Sequence, residues 1–151
     1  MADSAADLTA SDRLERFPPF RHMGVKLLAL SGDWSRVRVL LPLNQQTRNP
    51  GGSMFGGSIA AVADPVAALA CHARFLEYAV WTRELNVDFR KPGMSDLELR
   101  FDFPEKTAAH IEQQLADKGR STPLFEFGIY DTGGELVAWV RNTVAIRPRS
   151  G

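Results

Sequence analysis

The sequence predicts an α+β domain in which a curved antiparallel sheet of about six strands wraps one long buried helix. Three observations carry this. Several segments alternate apolar and polar residues with period two. One long alanine-rich segment is apolar on nearly every side. The strands are joined mostly by short turns rich in Gly, Asp and Ser. An antiparallel sheet has one apolar face to cover, and such a helix needs cover all round, so the two fit together. The chain of 151 residues is 44% hydrophobic and 24% charged, which suits one globular domain that buries roughly 68–70% of its unfolded surface.

Residues 1 to 12 are small and polar and read as a disordered tail, so the single domain is placed at 13–151. Arg13 to Phe17 allows a short helical turn, stopped by Pro18-Pro19. Val25 to Leu30 and Trp34 to Leu41 read as two strands joined by Ser31-Gly32-Asp33. A polar loop, Asn44 to Ser53, follows. The alanine-rich helix then runs from Met54 to about Phe75. In the next strand Leu85, Val87 and Phe89 alternate with Glu84, Asn86 and Asp88. A further strand places Leu97, Leu99, Phe101 and Phe103 on one face. Glu105 to Lys118 is a polar helix with Ala108, Ile111 and Leu115 at helical spacing, stopped by Gly119. Phe125, Phe127 and Ile129 mark another strand. Leu136 to Arg147 pairs back on it through Asp131-Thr132-Gly133-Gly134.

Composition narrows the function. The 18 Lys+Arg are balanced by 18 Asp+Glu, so no net field draws the chain to nucleic acid or anionic lipid. The lone Cys71 and the scattered His22, His72 and His110 form no disulfide framework and no metal-ligand spacing. The N-terminus carries acidic residues and no apolar run of a secretion signal, which points to a cytoplasmic protein. The Met54–Cys71 stretch approaches membrane-span composition, but a central Asp64 costs about 2.5–3.5 kcal/mol on insertion scales. A buried helix is the better reading.

From Asn49 to Ala73 the only formal charge is Asp64, with His72 counted neutral. An ionised carboxylate among alanines costs several kcal/mol unless something compensates it. Asp64 is therefore either a functional acid or a structural one, tied to nearby backbone or capping a break at Pro65. Directly before the helix stands Asn49-Pro-Gly-Gly-Ser-Met-Phe-Gly-Gly-Ser58. Gly56 and Gly57 leave the first-turn N–H groups uncovered at the positive end of the helix dipole, where they would suit a polarised carbonyl. A Gly-Gly pair also serves tight turns and close packing. Asp64 lies eight residues beyond Gly56, about 12 Å along a helix. A reacting atom must sit about 3 Å from both a base and an oxyanion donor. One helix cannot supply both groups to one substrate, whereas two antiparallel helices in a symmetric dimer can. A homodimer is also what the helix, covered by the sheet on one side, requires.

Asn49, the small-residue loop, Gly56-Gly57, the buried helix and Asp64 together resemble the hotdog-fold acyl-CoA thioesterases of the PaaI-like type. MFGGSIAAVADP with TRELNVDFRKPG is similar to an uncharacterised branch of that superfamily. The resemblance implies a hydrolase of acyl-CoA thioesters, active as a homodimer or dimer of dimers with sites at the subunit interface. It needs no cofactor beyond the coenzyme A of its substrate, and no metal. By the same resemblance the Gly56 N–H polarises the thioester carbonyl, and Asn49 holds the loop or a water. Asp64 of the partner acts as base or nucleophile, and Thr82 helps place the water. Thr82 shares parity with Glu84 and Asn86, so its position in the strand points it away from the apolar face. Gly57 and Phe55 line the substrate mouth. Phe55 stands where these thioesterases commonly have His, which makes the mouth more apolar and favours a medium or long acyl chain.

Two rival functions follow from the same residues. A non-catalytic hotdog module that binds acyl-CoA or fatty acyl groups would keep Asp64 for structure. Hydration of an unsaturated acyl-CoA ranks last, since it normally uses an Asp/His pair and no His here has the spacing. Arg48, Arg83, Arg90 and Lys91 are candidates for coenzyme A phosphates, though strand and loop cations are more often solvated charge.

Overall fold

The computed structural model describes residues 10–150. Its elements in chain order are α1 (Ala10–Arg16), α2 (Pro18–Met23), β1 (Lys26–Leu30), β2 (Arg36–Leu41), α3 (Gly56–Arg74), β3 (Tyr78–Phe89), β4 (Leu97–Asp102), α4 (Glu105–Lys118), β5 (Leu124–Tyr130) and β6 (Leu136–Pro148). The six strands form one sheet in the order β1-β2-β4-β5-β6-β3, with every neighbouring pair antiparallel. Helix α3 lies across its apolar face, as the sequence predicts.

The N-terminus differs from expectation at two points. Most of the expected tail lies outside the described residues, but residues 10–12 form the first turn of α1. Pro18 and Pro19 do not simply stop a helix; they open α2 at its first positions. There the missing proline N–H has no intrahelical partner to lose. Both short helices anchor to the domain through Leu14, Phe20 and Met23, all buried.

The core forms where the alternating strands meet α3. Val37, Val39, Leu97, Leu99, Phe101, Phe127 and Ile129 point inward and are at most 3% exposed. Against them α3 buries Ser58, Ile59, Val62, Ala63, Val66, Ala67, Ala70 and Cys71. Its alanines keep the helix thin, so backbone and sheet approach closely. The opposite face carries Gly57, Ala60, Ala61, Asp64, Pro65, Ala68, Leu69 and His72, all exposed or half-buried. Pro65 does not break the helix, although it lacks the N–H that the Ala61 carbonyl would accept. By length and composition α3 would also suit a membrane span. In the fold it is the core helix, seated on the sheet.

Strand β3 has 12 residues and begins at Tyr78, well before the alternation seen from Glu84. It pairs with β6 on one side only and forms a sheet edge. Its register on β6 shifts between Thr82 and Glu84, leaving Arg83 as the extra residue of a bulge. A bulge inverts which face the preceding residues occupy.

The β1–β2 turn is set by Asp33 and Trp34. Trp34 adopts φ 60, a left-handed conformation that costs a bulky residue about 1–2 kcal/mol. Hydrogen bonds from the Ser35 hydroxyl, the Ser35 N–H and the Ser31 hydroxyl hold the Asp33 carboxyl down at about 2, from an ordinary 3.8. The ionised form is thus favoured by the folded turn. Its contribution is complete above the ordinary value and is lost as pH falls through about 2. Thermal unfolding followed against pH should therefore show the wild type losing stability between about pH 4 and pH 2 more steeply than Asp33→Asn does.

Candidate active site

The entry to α3 is built by its loop. Met54 N–H donates to the Gly93 carbonyl at 2.7 Å, and Phe55 N–H donates to the Thr47 carbonyl at 2.7 Å. Thr47 is itself fully buried, and its hydroxyl donates to the Pro42 carbonyl at 2.7 Å. Phe55 is the N-cap, with φ −62 and ψ 130, and its side chain offers no cap. Among the described residues neither the Gly56 N–H nor the Gly57 N–H has a hydrogen-bond partner, whereas Ser58 N–H already bonds the Phe55 carbonyl at 2.9 Å. Two adjacent donors therefore remain at the positive end of the helix dipole.

Asn49 is committed to that loop. Its Oδ1 accepts from Ser53 N–H at 3.1 Å, and its Nδ2 donates to the Ser53 hydroxyl at 2.8 Å. Two aromatic rings flank the glycines. A Cβ on Gly56 would lie 3.3 Å from the Phe89 ring, and one on Gly57 would collide with the Phe55 ring. Phe55 and Phe89 are both about half exposed, so the glycines give two rings room to lie over the helix start. Alternation marks Phe89 only as a strand residue; its place on the mouth depends on the far end of β3 reaching α3.

Asp64 is not enclosed within the chain. The sequence placed it among buried alanines, but its side chain is exposed on the face of α3 turned away from the sheet. Its main chain is held from the other direction: the Thr82 hydroxyl donates to the Asp64 carbonyl at 2.9 Å. Thr82 therefore faces α3, contrary to its parity with Glu84. The bulge at Arg83 is the reason, since it puts Thr82 and Leu85 on the same face despite their odd spacing.

Asn142 supports this bulge and was missed in the sequence, where β6 reads as a plain apolar strand. It is fully buried between Val140 and Val144. Its Nδ2 donates to the Glu84 carbonyl at 3.0 Å, while its Oδ1 has no partner. A lone polar residue in an otherwise apolar inward row is the signal that could have pointed to it. Remaining candidates separate clearly. Arg90 pairs with Asp88, and Lys91 pairs with Asp131 and Glu135. The Cys71 thiol is buried and pushed up to about 12 by desolvation. Among the described residues no three His, Cys, Asp or Glu side chains converge as a metal site.

Replacing Asn142 with Asp removes the donor to Glu84 and buries a charge without a partner. Asn142→Asp should lose about 3 kcal/mol or more in denaturant unfolding at neutral pH. Part of that should return as pH falls and the protonated carboxyl donates again.

In one chain, then, the free donors and the acid belong to the same helix, eight residues apart, with the acid on its uncovered face. Among curated proteins nothing matches the chain. Solved structures do. A "probable thioesterase" of unknown function from Pseudomonas aeruginosa superposes with a TM-score of 0.79 at 20% identity, covering 89% of this chain and 90% of that one. A thioesterase from Haemophilus influenzae gives 0.73 at 19% identity, covering 93% and 92%. The PaaI protein of the E. coli phenylacetic acid degradation operon gives 0.67 at 18% identity, covering 92% and 89%. The architecture shared with them is the hotdog fold, as the resemblance implied. Residues 10–146 match the profile of DUF4442, a domain of unknown function, and the chain is a hotdog-fold member of that family.

Proposed function

We propose that this protein hydrolyses acyl-CoA thioesters at a site shared by two copies of the chain. The observation that carries the reading is the position of Asp64 on the uncovered face of the same helix that begins with two unpartnered N–H groups. Separated by about 12 Å along one helix, the groups can serve one substrate only when two helices lie antiparallel. A two-fold axis near Ala60 would place each acid against the other's glycines and would cover the small apolar residues around it. The long, one-sided edge of β3, with Trp81 48% exposed, supports pairing between copies, since open edges of this length invite a partner strand.

In the reaction, the thioester carbonyl accepts from Gly56 N–H of one subunit. Asp64 of the other takes a proton from water as the water oxygen bonds to the carbonyl carbon. Negative charge builds on the carbonyl oxygen, where the helix dipole and the N–H stabilise it. Collapse of the tetrahedral intermediate breaks the carbon–sulfur bond, and the Asp64 proton passes to the departing thiolate. Thr82 fixes the main chain at Asp64, and Asn49 keeps the loop that aims Gly56. The scheme needs no metal and no cofactor other than the coenzyme A carried by the substrate. A cytoplasmic location, with a dimer or dimer of dimers, goes with this reading. The thioesterase descriptions of the structural relatives support the chemistry.

A binding module without turnover is the second reading. It is favoured by the two rings, Phe55 and Phe89, lying over the glycines, since an apolar mouth retains an acyl group without requiring a reaction.

Release of free thiol from an acyl-CoA panel separates the two. The hydrolase reading expects turnover that falls by about 10²–10⁴ in Asp64→Asn with the fold retained. A wild type that binds acyl-CoA and releases no thiol supports the module. Gly56→Pro removes the donor, with Gly56→Ala, which brings the same Cβ against Phe89 but keeps the N–H, as its control. Gly56 is the first helical residue, where proline is tolerated, and Phe55 already has a backbone suited to precede it. Asp64→Asn and Gly56→Pro alone should each keep about a hundredth of wild-type turnover or less. Co-refolded in equal amounts, they should regain roughly a quarter of wild-type activity, because half of the dimers then carry one intact shared site. No recovery on mixing would refute the shared site.

A further inference from the structure

A cavity of about 480 Å³ opens along the second half of α3. On α3 its lining begins at Pro65, the residue after Asp64, and follows the uncovered face through Leu69. Leu14 of α1 and Phe17 line it from the N-terminal segment, and Trp34 lines it from the β1–β2 turn. Apolar side chains form nearly all of this lining; Arg13 and His72 are the lining residues able to carry charge. From Pro65 to Ala73 the helix rises about 12 Å, the span of on the order of ten carbon–carbon bonds in an extended chain.

Two features mark the cavity as built rather than left over. Trp34 reaches its wall from a left-handed backbone, and such strain persists where surrounding structure over-determines it, commonly at ligand clamps. Leu76 is 66% exposed and Phe17 43% exposed, so two apolar residues of the lining also present surface to solvent. Exposed apolar surface of this kind marks a binding surface. The concavity also bears on the occupant. A flat helix face from a second copy would span α1 and α3 without filling the space between them, whereas a narrow flexible chain fills it.

We propose that this cavity takes the unbranched acyl chain of the thioester, with the carbonyl end beside Asp64 and the terminal methyl toward Leu76. The proposal rests on the hydrolase reading for the position of the carbonyl. It names the substrate class: straight-chain acyl groups of medium length, discriminated by α1 and Trp34 rather than by the loop around Gly56. Leu69 lies midway and is half-buried, so a larger side chain there shortens the cavity without touching Asp64, Gly56 or Thr82.

The test compares acetyl-CoA, octanoyl-CoA, lauroyl-CoA and palmitoyl-CoA on wild type, Leu69→Trp and the milder Ala73→Leu, in thiol release and in direct titration calorimetry. Wild type should bind octanoyl-CoA and lauroyl-CoA tightest. Leu69→Trp should weaken lauroyl-CoA at least tenfold and leave acetyl-CoA unchanged, with Ala73→Leu shifting the preference one step shorter. Equal loss for every chain length, or no change for any, overturns the proposal. Conversion of either variant to a monomer also overturns it, because the cavity would then be an interface between copies. If wild type releases no thiol, the hydrolase reading fails by itself. Calorimetry then still decides the cavity: chain-length-dependent binding that Leu69→Trp abolishes upholds it, and its absence refutes it.

Discussion

One sheet can cover only one side of the helix laid across it, and here that helix is apolar on both sides. This constraint organises the molecule. The covered side of α3 packs alanine and valine against inward rows of Val, Leu and Phe from the strands. The uncovered side presents small residues, one proline and one carboxylate. A stable single-chain protein would carry Lys, Glu or Gln there. Retaining alanine on an open face is explained by contact with something else, and the edge strand β3 lies at the neighbouring border of the same surface.

The bulge at Arg83 links sheet geometry to chemistry. Without the extra residue, Thr82 would point to the outer face and the Asp64 carbonyl would lose its side-chain donor. With it, the buried Asn142 is held to the Glu84 carbonyl, at the cost of one unpartnered amide oxygen. Leaving that oxygen bare costs about 1–3 kcal/mol, which a valine at this position would avoid. Position of the bulge, rather than maximal stability, accounts for the choice.

How far the sequence could be read follows from the range of the physics involved. Strand alternation and helix spacing are local, so β4, β5 and α4 lie where their residues place them, and Gly119 ends α4 in the left-handed region. The Gly56–Asp64 spacing was equally local. Three features were not. Parity cannot reveal a bulge whose extra residue is defined only by the partner strand, so parity alone puts Thr82 on the wrong face. The exposure of Asp64 depends on how much of α3 one sheet can cover, which composition does not express. Pro18-Pro19 reads as a stop or a start depending on the backbone before it; φ −56 and ψ 120 at Phe17 settle it as a start. Phe89 and Asn142 reached the site through strand pairings, which link residues far apart in the chain.

The seclusion of Cys71 reaches beyond architecture. It is the sole sulfhydryl of the chain, sealed on the sheet-facing side of α3 with its thiolate strongly disfavoured. A chromogenic disulfide reagent added to the native protein meets no competing nucleophile, yet gains one equivalent of target when the polypeptide opens. Under the proposed hydrolysis, the same dye would report the thiol freed from substrate while the fold stands, and the loss of the fold once it gives way.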